Sequence, residues 1–75
     1  MTHTLDVRGR RCPVPILLLS RKASELEIGD VICVLADDPD FPRDVRAWCE
    51  RSGNVLARLE AESGHHVVYV ERVAR

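Results

Sequence analysis

The sequence predicts an α+β fold, two helices packed on a four-stranded mixed sheet in the order β-α-β-α-β-β. Three observations carry this. Apolar periodicity alternates between strand-like and helix-like in six segments of that order. The first two strand-like segments are separated by a helix-length crossover, which makes that pair parallel. The last two are separated only by a short polar stretch around Glu62, Ser63 and Gly64, and a hairpin there is antiparallel.

Leu5 and Val7 alternate with Thr4, Asp6 and Arg8, the period of a half-buried strand, and Gly9 breaks it. Residues 13 to about 27 are helical, with Ile16, Leu19, Ala23 and Leu26 in one stripe that Leu17 and Leu18 widen. Gly29 and Asp30 make a turn. Val31, Ile32, Cys33, Val34, Leu35 and Ala36 then form a nearly continuous apolar run, as a central strand covered on one or both faces requires. Asp38, Pro39 and Asp40 open the second helix, either aspartate serving as its cap, and Phe41, Val45, Trp48 and Cys49 share one face. Gly53 and Asn54 end it. Residues 55 to about 61 and 67–73 complete the sheet as a strand pair.

The 75 residues, 45% hydrophobic and 31% charged, suit one globular domain spanning 1–75 rather than a disordered tail. At that size only about 60% of the unfolded chain's surface is buried on folding. Three cysteines without a Cys-x-x-Cys pair, and a start without signal-peptide character, point to a reducing cytoplasm. The apolar run from Ile16 to Leu19 is far below the roughly 20 residues needed to cross a bilayer. Net charge is −1, with Arg8, Arg10, Arg11, Arg21 and Lys22 dominating the first third and an acidic stretch from Glu25 to Asp44 following. Two opposed poles suit charged protein partners, and the balanced total argues against direct nucleic-acid binding.

The chemistry centres on Cys12, in the run Arg8-Gly9-Arg10-Arg11-Cys12-Pro13-Val14-Pro15 just before the first helix. Cys12 reads as the helix cap and Pro13 as the first helical residue, where a missing N–H costs nothing. The helix N-terminus and three nearby arginines are then expected to lower the thiol pKa. Pro15 stands where a thioredoxin-like motif carries its second cysteine, so no resolving thiol lies one turn away. An adduct on Cys12 persists, as a carrier needs and a disulfide oxidoreductase does not. The competing reading makes Cys12 a small structural cap within a regulatory or nucleic-acid-binding module. A third pairs Cys12 with Cys49 in redox chemistry.

Asp6, Gly9, Cys12-Pro13-Val14-Pro15, Gly29, Asp38-Pro39, Asp44, Trp48-Cys49 and Gly53 together resemble the TusA/SirA-type sulfur carriers over nearly the whole chain. The resemblance implies a two-layer sandwich and a sulfurtransferase or carrier that takes sulfane sulfur as a persulfide on Cys12. It implies a donor protein, a cysteine desulfurase or rhodanese-like protein, and an acceptor protein. The sulfur would serve tRNA thiolation, cofactor assembly or sulfur metabolism. The chain departs from the family beside the motif, where Arg10 replaces the common leucine.

Asp6, Arg8 and Asp38 are expected to converge near Cys12 if the first two strands lie side by side, with Arg8 facing the persulfide and Asp6 pairing with Arg8 or capping N–H groups. Pro13 and Pro15 shape the same site. Cys33, inside the most apolar strand, and Cys49, on the apolar helix face beside Trp48, read as buried structural thiols. His65 and His66 are adjacent in a strand and so face opposite ways, which leaves no metal-ligand spacing, and the proposed chemistry calls for no cofactor.

Overall fold

The computed structural model describes residues 1–73, in which β1 (Thr2–Asp6), α1 (Val14–Ser24), β2 (Val31–Ala36), α2 (Phe41–Ser52), β3 (Val55–Glu62) and β4 (His65–Glu71) follow in order. The four strands form one sheet in the spatial order β1-β2-β4-β3. β1 runs parallel to β2, while β2 with β4 and β3 with β4 are antiparallel. The sheet is therefore mixed, as the crossover and the hairpin predict.

Alternation along β2 decides where the core lies. Ile32, Val34 and Ala36 are fully buried in one cluster with Leu19 of α1 and Phe41 and Val45 of α2, whereas Val31, Cys33 and Leu35 on the other face are only half-buried. The helices therefore cover one face. Val68 and Val70 of β4 join that cluster, and Val7, just beyond β1, is sealed into it. Each fully buried side chain of this kind contributes about 1.5–3 kcal/mol relative to exposure. Cys33 pairs in register with Thr4 and with Tyr69, and Tyr69 with Arg58, in a row across the uncovered face. Cys33 is accordingly half-exposed rather than buried in the core.

α2 starts and stops where its sequence signals stand. Asp40 is the N-cap residue, Pro42 lies in the first turn, and Gly53 ends the helix in the left-handed region at φ 82°, its N–H bonded to the Cys49 carbonyl at 2.9 Å. Glycine adopts that conformation without the Cβ clash other residues suffer. α1 ends at Ser24, short of the expected residue 27. The Arg72 guanidinium, arriving just after β4, donates to the carbonyls of Ala23 and Leu26. A cation placed there satisfies orphan carbonyls and complements the helix dipole, so the chain can leave the helix early. Leu17 lies outside the apolar stripe, 60% exposed, while Leu18 packs against the core.

β4 begins at His65, two residues before the expected start, because Ala36 of β2 pairs with His66 and draws the strand forward. The hairpin turn shrinks to Ser63 and Gly64. Pairing along β3 shifts register between Leu56 and Arg58. No helix among the described residues is long and apolar enough to cross a membrane.

Candidate functional site

The segment between β1 and α1 passes over the carboxyl ends of β1 and β2, where the parallel pairing sets it beside the loop leaving β2. Two consecutive aspartates from that loop hold it. The Asp37 carboxylate accepts from the Gly9 N–H at 2.9 Å and from the Arg11 guanidinium at 3.0 Å. Gly9 sits at φ 85°, a left-handed position that turns the chain at the end of β1. Asp38 is only 4% exposed, and its two carboxylate oxygens divide the work: Oδ2 accepts from the Cys12 N–H at 2.9 Å and Oδ1 from the Asp40 N–H at 3.2 Å. One buried side chain thus ties the backbone of Cys12 to the start of α2.

Cys12 is exposed and is followed by a cis peptide bond to Pro13. Pro13, not Cys12, is the N-cap residue of α1, with no side-chain capping hydrogen bond, and Pro15 lies in the first turn. The expected cap is therefore displaced by one residue. The field of free N–H groups is also depleted. Pro13 and Pro15 carry none, and the Val14 N–H is bonded to the Arg11 carbonyl at 2.9 Å.

Arg8 and Arg11 are likewise engaged by carboxylates rather than by the sulfur. Arg8 makes a two-pronged pair with Asp6, at 3.0 and 2.8 Å, and the Arg8 N–H donates to the same carboxylate at 3.0 Å. The Arg8 guanidinium holds the Asp6 carboxyl at about 2, and the Gly9 N–H and Arg11 hold Asp37 below the ordinary carboxylate range. The basic and acidic stretches of the sequence, expected as opposed poles, thus meet each other here.

What faces the thiol is acidic. Cys12 and Pro13 form one side of a cleft of about 180 Å³, completed by Ile16 of α1 and by Asp44, Ala47 and Arg51 of α2. The Asp44 carboxylate across the cleft, with the loss of water and the charges of Asp38 and Asp40, pushes the thiol pKa up. The expectation of a lowered thiol pKa is therefore corrected. Arg8 and Arg11 have carboxylate partners of their own, and α2 brings a carboxylate to the cleft beside the sulfur.

Of the six residues singled out from the sequence, Cys12, Pro13 and Asp38 share one contiguous site, and Pro15 is buried in the first turn behind it. Asp6 and Arg8 pair with each other on the approach. Asp37 and Asp44 were missed as site residues. Asp44, in the first turn of α2, already stood among the residues that carry the family resemblance, whereas the signal for Asp37, which precedes Asp38 at the end of β2, was available only through tertiary reasoning. Cys49 is buried, which pushes its thiol up, and all three cysteines are free. A larger depression of about 360 Å³, lined by Ser20, Trp48 and Arg72 among others, contains none of the predicted site residues.

Comparison with known proteins adds to this geometry. The family model described as Sulfurtransferase TusA matches residues 3–72. A candidate sulfur carrier protein of Aquifex aeolicus is 37% identical over 72 residues, covering 96% of this chain. The matched region is 36% of that relative, so the chain spans about a third of its length. Candidate sulfur carriers from two Neisseria meningitidis strains are 37% identical over 70 residues, covering 93% of this chain and 95% of theirs. The crystal structure of a SirA-like protein from Desulfitobacterium hafniense superposes with a TM-score of 0.82 at 28% identity, covering 97% of this chain and 99% of that one. With the family pattern matched from β1 to the end of β4 and the fold shared with a SirA-like structure, the chain belongs to the TusA/SirA family of sulfurtransferases.

Proposed function

We propose that the protein is a sulfur carrier that accepts sulfane sulfur as a persulfide on Cys12 and passes it to an acceptor protein. The observation that carries this reading is an exposed cysteine whose backbone is clamped by a buried aspartate and which has no second thiol beside it. Pro15 occupies the place of a resolving cysteine, Cys49 is buried, and Cys33 lies on the uncovered sheet face. A persulfide formed on Cys12 therefore has no intramolecular thiol to discharge it, and it survives until a partner arrives.

In the loading step the Cys12 sulfur attacks the outer sulfur of a donor persulfide. A new S–S bond forms, the donor's S–S bond breaks, and the donor cysteine leaves as a thiolate that takes up the proton Cys12 gives away. Delivery repeats the exchange, with an acceptor thiolate attacking the outer sulfur now on Cys12. The Asp38 clamp keeps the motif in one conformation through both exchanges, so little ordering cost falls on docking. The donor is a cysteine desulfurase or rhodanese-like protein, and the relay works in the cytoplasm toward tRNA thiolation, cofactor assembly or sulfur metabolism.

Incubation with a cysteine desulfurase and sulfur-labelled cysteine tests this. The wild type takes up reductant-labile label, and Cys12→Ser, which removes no capping contact and folds normally, takes up none. Label on folded Cys12→Ser would overturn the assignment.

A further inference from the structure

We propose that Asp44 determines which partners react at Cys12: its carboxylate, facing the thiol across the cleft, favours donors and acceptors that bring a positive charge beside the reacting sulfur and disfavours anionic ones. This deepens the sulfur-carrier reading and rests on it for the identity of the reacting atom.

The arrangement of charge around the cleft supports it. Asp44 lies in the first turn of α2, its N–H bonded to the Asp40 carbonyl at 3.0 Å, and its side chain is 20% exposed. The Arg43 guanidinium reaches it from the solvent side, and both contacts, at 3.3 Å, fall on Oδ1. Both oxygens of Asp38 already hold N–H groups. Asp40 stands at the start of the same helix, 3.8 Å from Arg43.

Asp44 therefore shares the cleft with Cys12, Asp38 holds the Cys12 backbone N–H and Asp40 adjoins Asp38, while the Arg43 guanidinium pairs with Asp44. Arg11, the nearest cation on the motif's own loop, is engaged by Asp37 at 3.0 Å. Arg51 lines the opposite end of the cleft, seven residues along α2 and so roughly 10 Å away along the helix axis. The reacting end of the cleft is negative and the far end positive, with Pro13, Ile16 and Ala47 between them.

The consequence for sulfur exchange is direct. Cys12 must lose its proton to attack, and the neighbouring carboxylates oppose the thiolate. A lysine or arginine beside the partner's cysteine neutralises Asp44 as the two sulfurs meet, so Cys12 is most reactive when such a partner is docked. The proton moves to the departing donor thiolate and no net oxidation occurs. Small anionic thiols and disulfides meet the same carboxylates uncompensated and are kept out.

Methanethiosulfonates of opposite charge test this on the whole protein. Rates for trimethylammonium-ethyl and sulfonato-ethyl reagents are measured at Cys12 by peptide mass mapping, for wild type, Asp44→Asn and Asp44→Glu. The ratio of the two rates cancels the thiolate fraction. The wild type prefers the cationic reagent over the anionic one relative to a free cysteine peptide. Asp44→Asn lowers that preference by roughly tenfold, the effect of one charge a few ångströms away acting on both reagents with opposite sign. Asp44→Glu retains most of it, and Arg43→Gln, which removes the shielding cation, raises it. Added salt collapses the wild-type preference, a readout that needs no variant.

An unchanged ratio in folded Asp44→Asn, or a wild-type ratio equal to the free peptide's, would overturn the proposal. The probes read Cys12 whether or not it carries sulfur. Failed sulfur loading with a preserved ratio therefore counts against the carrier reading alone, and normal loading with a flat ratio against charge selection alone.

Discussion

Replacing Asp38 by alanine removes a buried side chain that ties the Cys12 backbone to the start of α2. Its carboxylate is 4% exposed and accepts two backbone N–H groups, from Cys12 at 2.9 Å and Asp40 at 3.2 Å, in partly buried surroundings. Alanine leaves both donors without that acceptor, and an unsatisfied buried donor costs about 1–3 kcal/mol. Water reaches the exposed side of the Cys12 loop, so the lower half of that range applies to each, and the total is about 2–4 kcal/mol. A 75-residue domain has roughly 4–11 kcal/mol of stability at typical per-residue values, so the variant loses a large fraction of it. In a thermal melt this appears as a fall of roughly 10–25 °C. Urea denaturation gives the free energy, and amide hydrogen exchange at Cys12 localises it, because the Cys12 N–H loses protection in the variant. Asp38→Asn keeps one acceptor oxygen and loses about half as much. A melt within 3 °C of wild type for Asp38→Ala, with Cys12 exchange unchanged, would refute the clamp.

Three further outcomes follow from the packing and the charges. Phe41 is fully buried at the start of α2, so Phe41→Ala costs about 3–5 kcal/mol and abolishes or nearly abolishes the cooperative transition seen by circular dichroism. Arg72→Ala removes the donors to the Ala23 and Leu26 carbonyls. It destabilises by about 1–3 kcal/mol and raises hydrogen exchange in the last turn of α1. In acid, Asp6 with its Arg8 partner, Asp30 with the Glu27 N–H and Asp37 with the Gly9 N–H all have carboxyl pKa values lowered by folding. The folded chain thus binds protons less readily than the unfolded one. Their contribution is complete above about pH 4 and lost as pH falls toward 2, modestly because these groups face water. Urea midpoints that stay constant from pH 5 to 2 would contradict it.

The order of elements was legible because each segment's period agreed with its place in the fold: the apolar run of β2 lies at the centre of the sheet, and the Asp40 and Gly53 signals bound α2. What escaped was set by residues distant in sequence. α1 stops early because Arg72, 49 residues beyond Ala23, reaches its carbonyls. β4 starts early because Ala36 gives His66 a partner. The same cause inverted the electrostatics at Cys12. Three arginines adjacent in sequence promise a positive site, but Asp6 takes Arg8, Asp37 takes Arg11, and Asp44 arrives from α2 to face the thiol. Local reading also overlooked that a proline at the N-cap and another in the first turn delete N–H groups on which a helix-terminus effect depends.

The assignment of Cys12 as the sulfur-bearing residue is tested most directly by intact mass. Wild type and Cys12→Ala are incubated with a cysteine desulfurase and cysteine, without reductant, and weighed before and after reduction. The expected result is a gain of one sulfur atom in the wild type alone, reversed by reductant and mapped to the peptide containing Cys12. No gain with any of several donors, or an equal gain in Cys12→Ala, would contradict it.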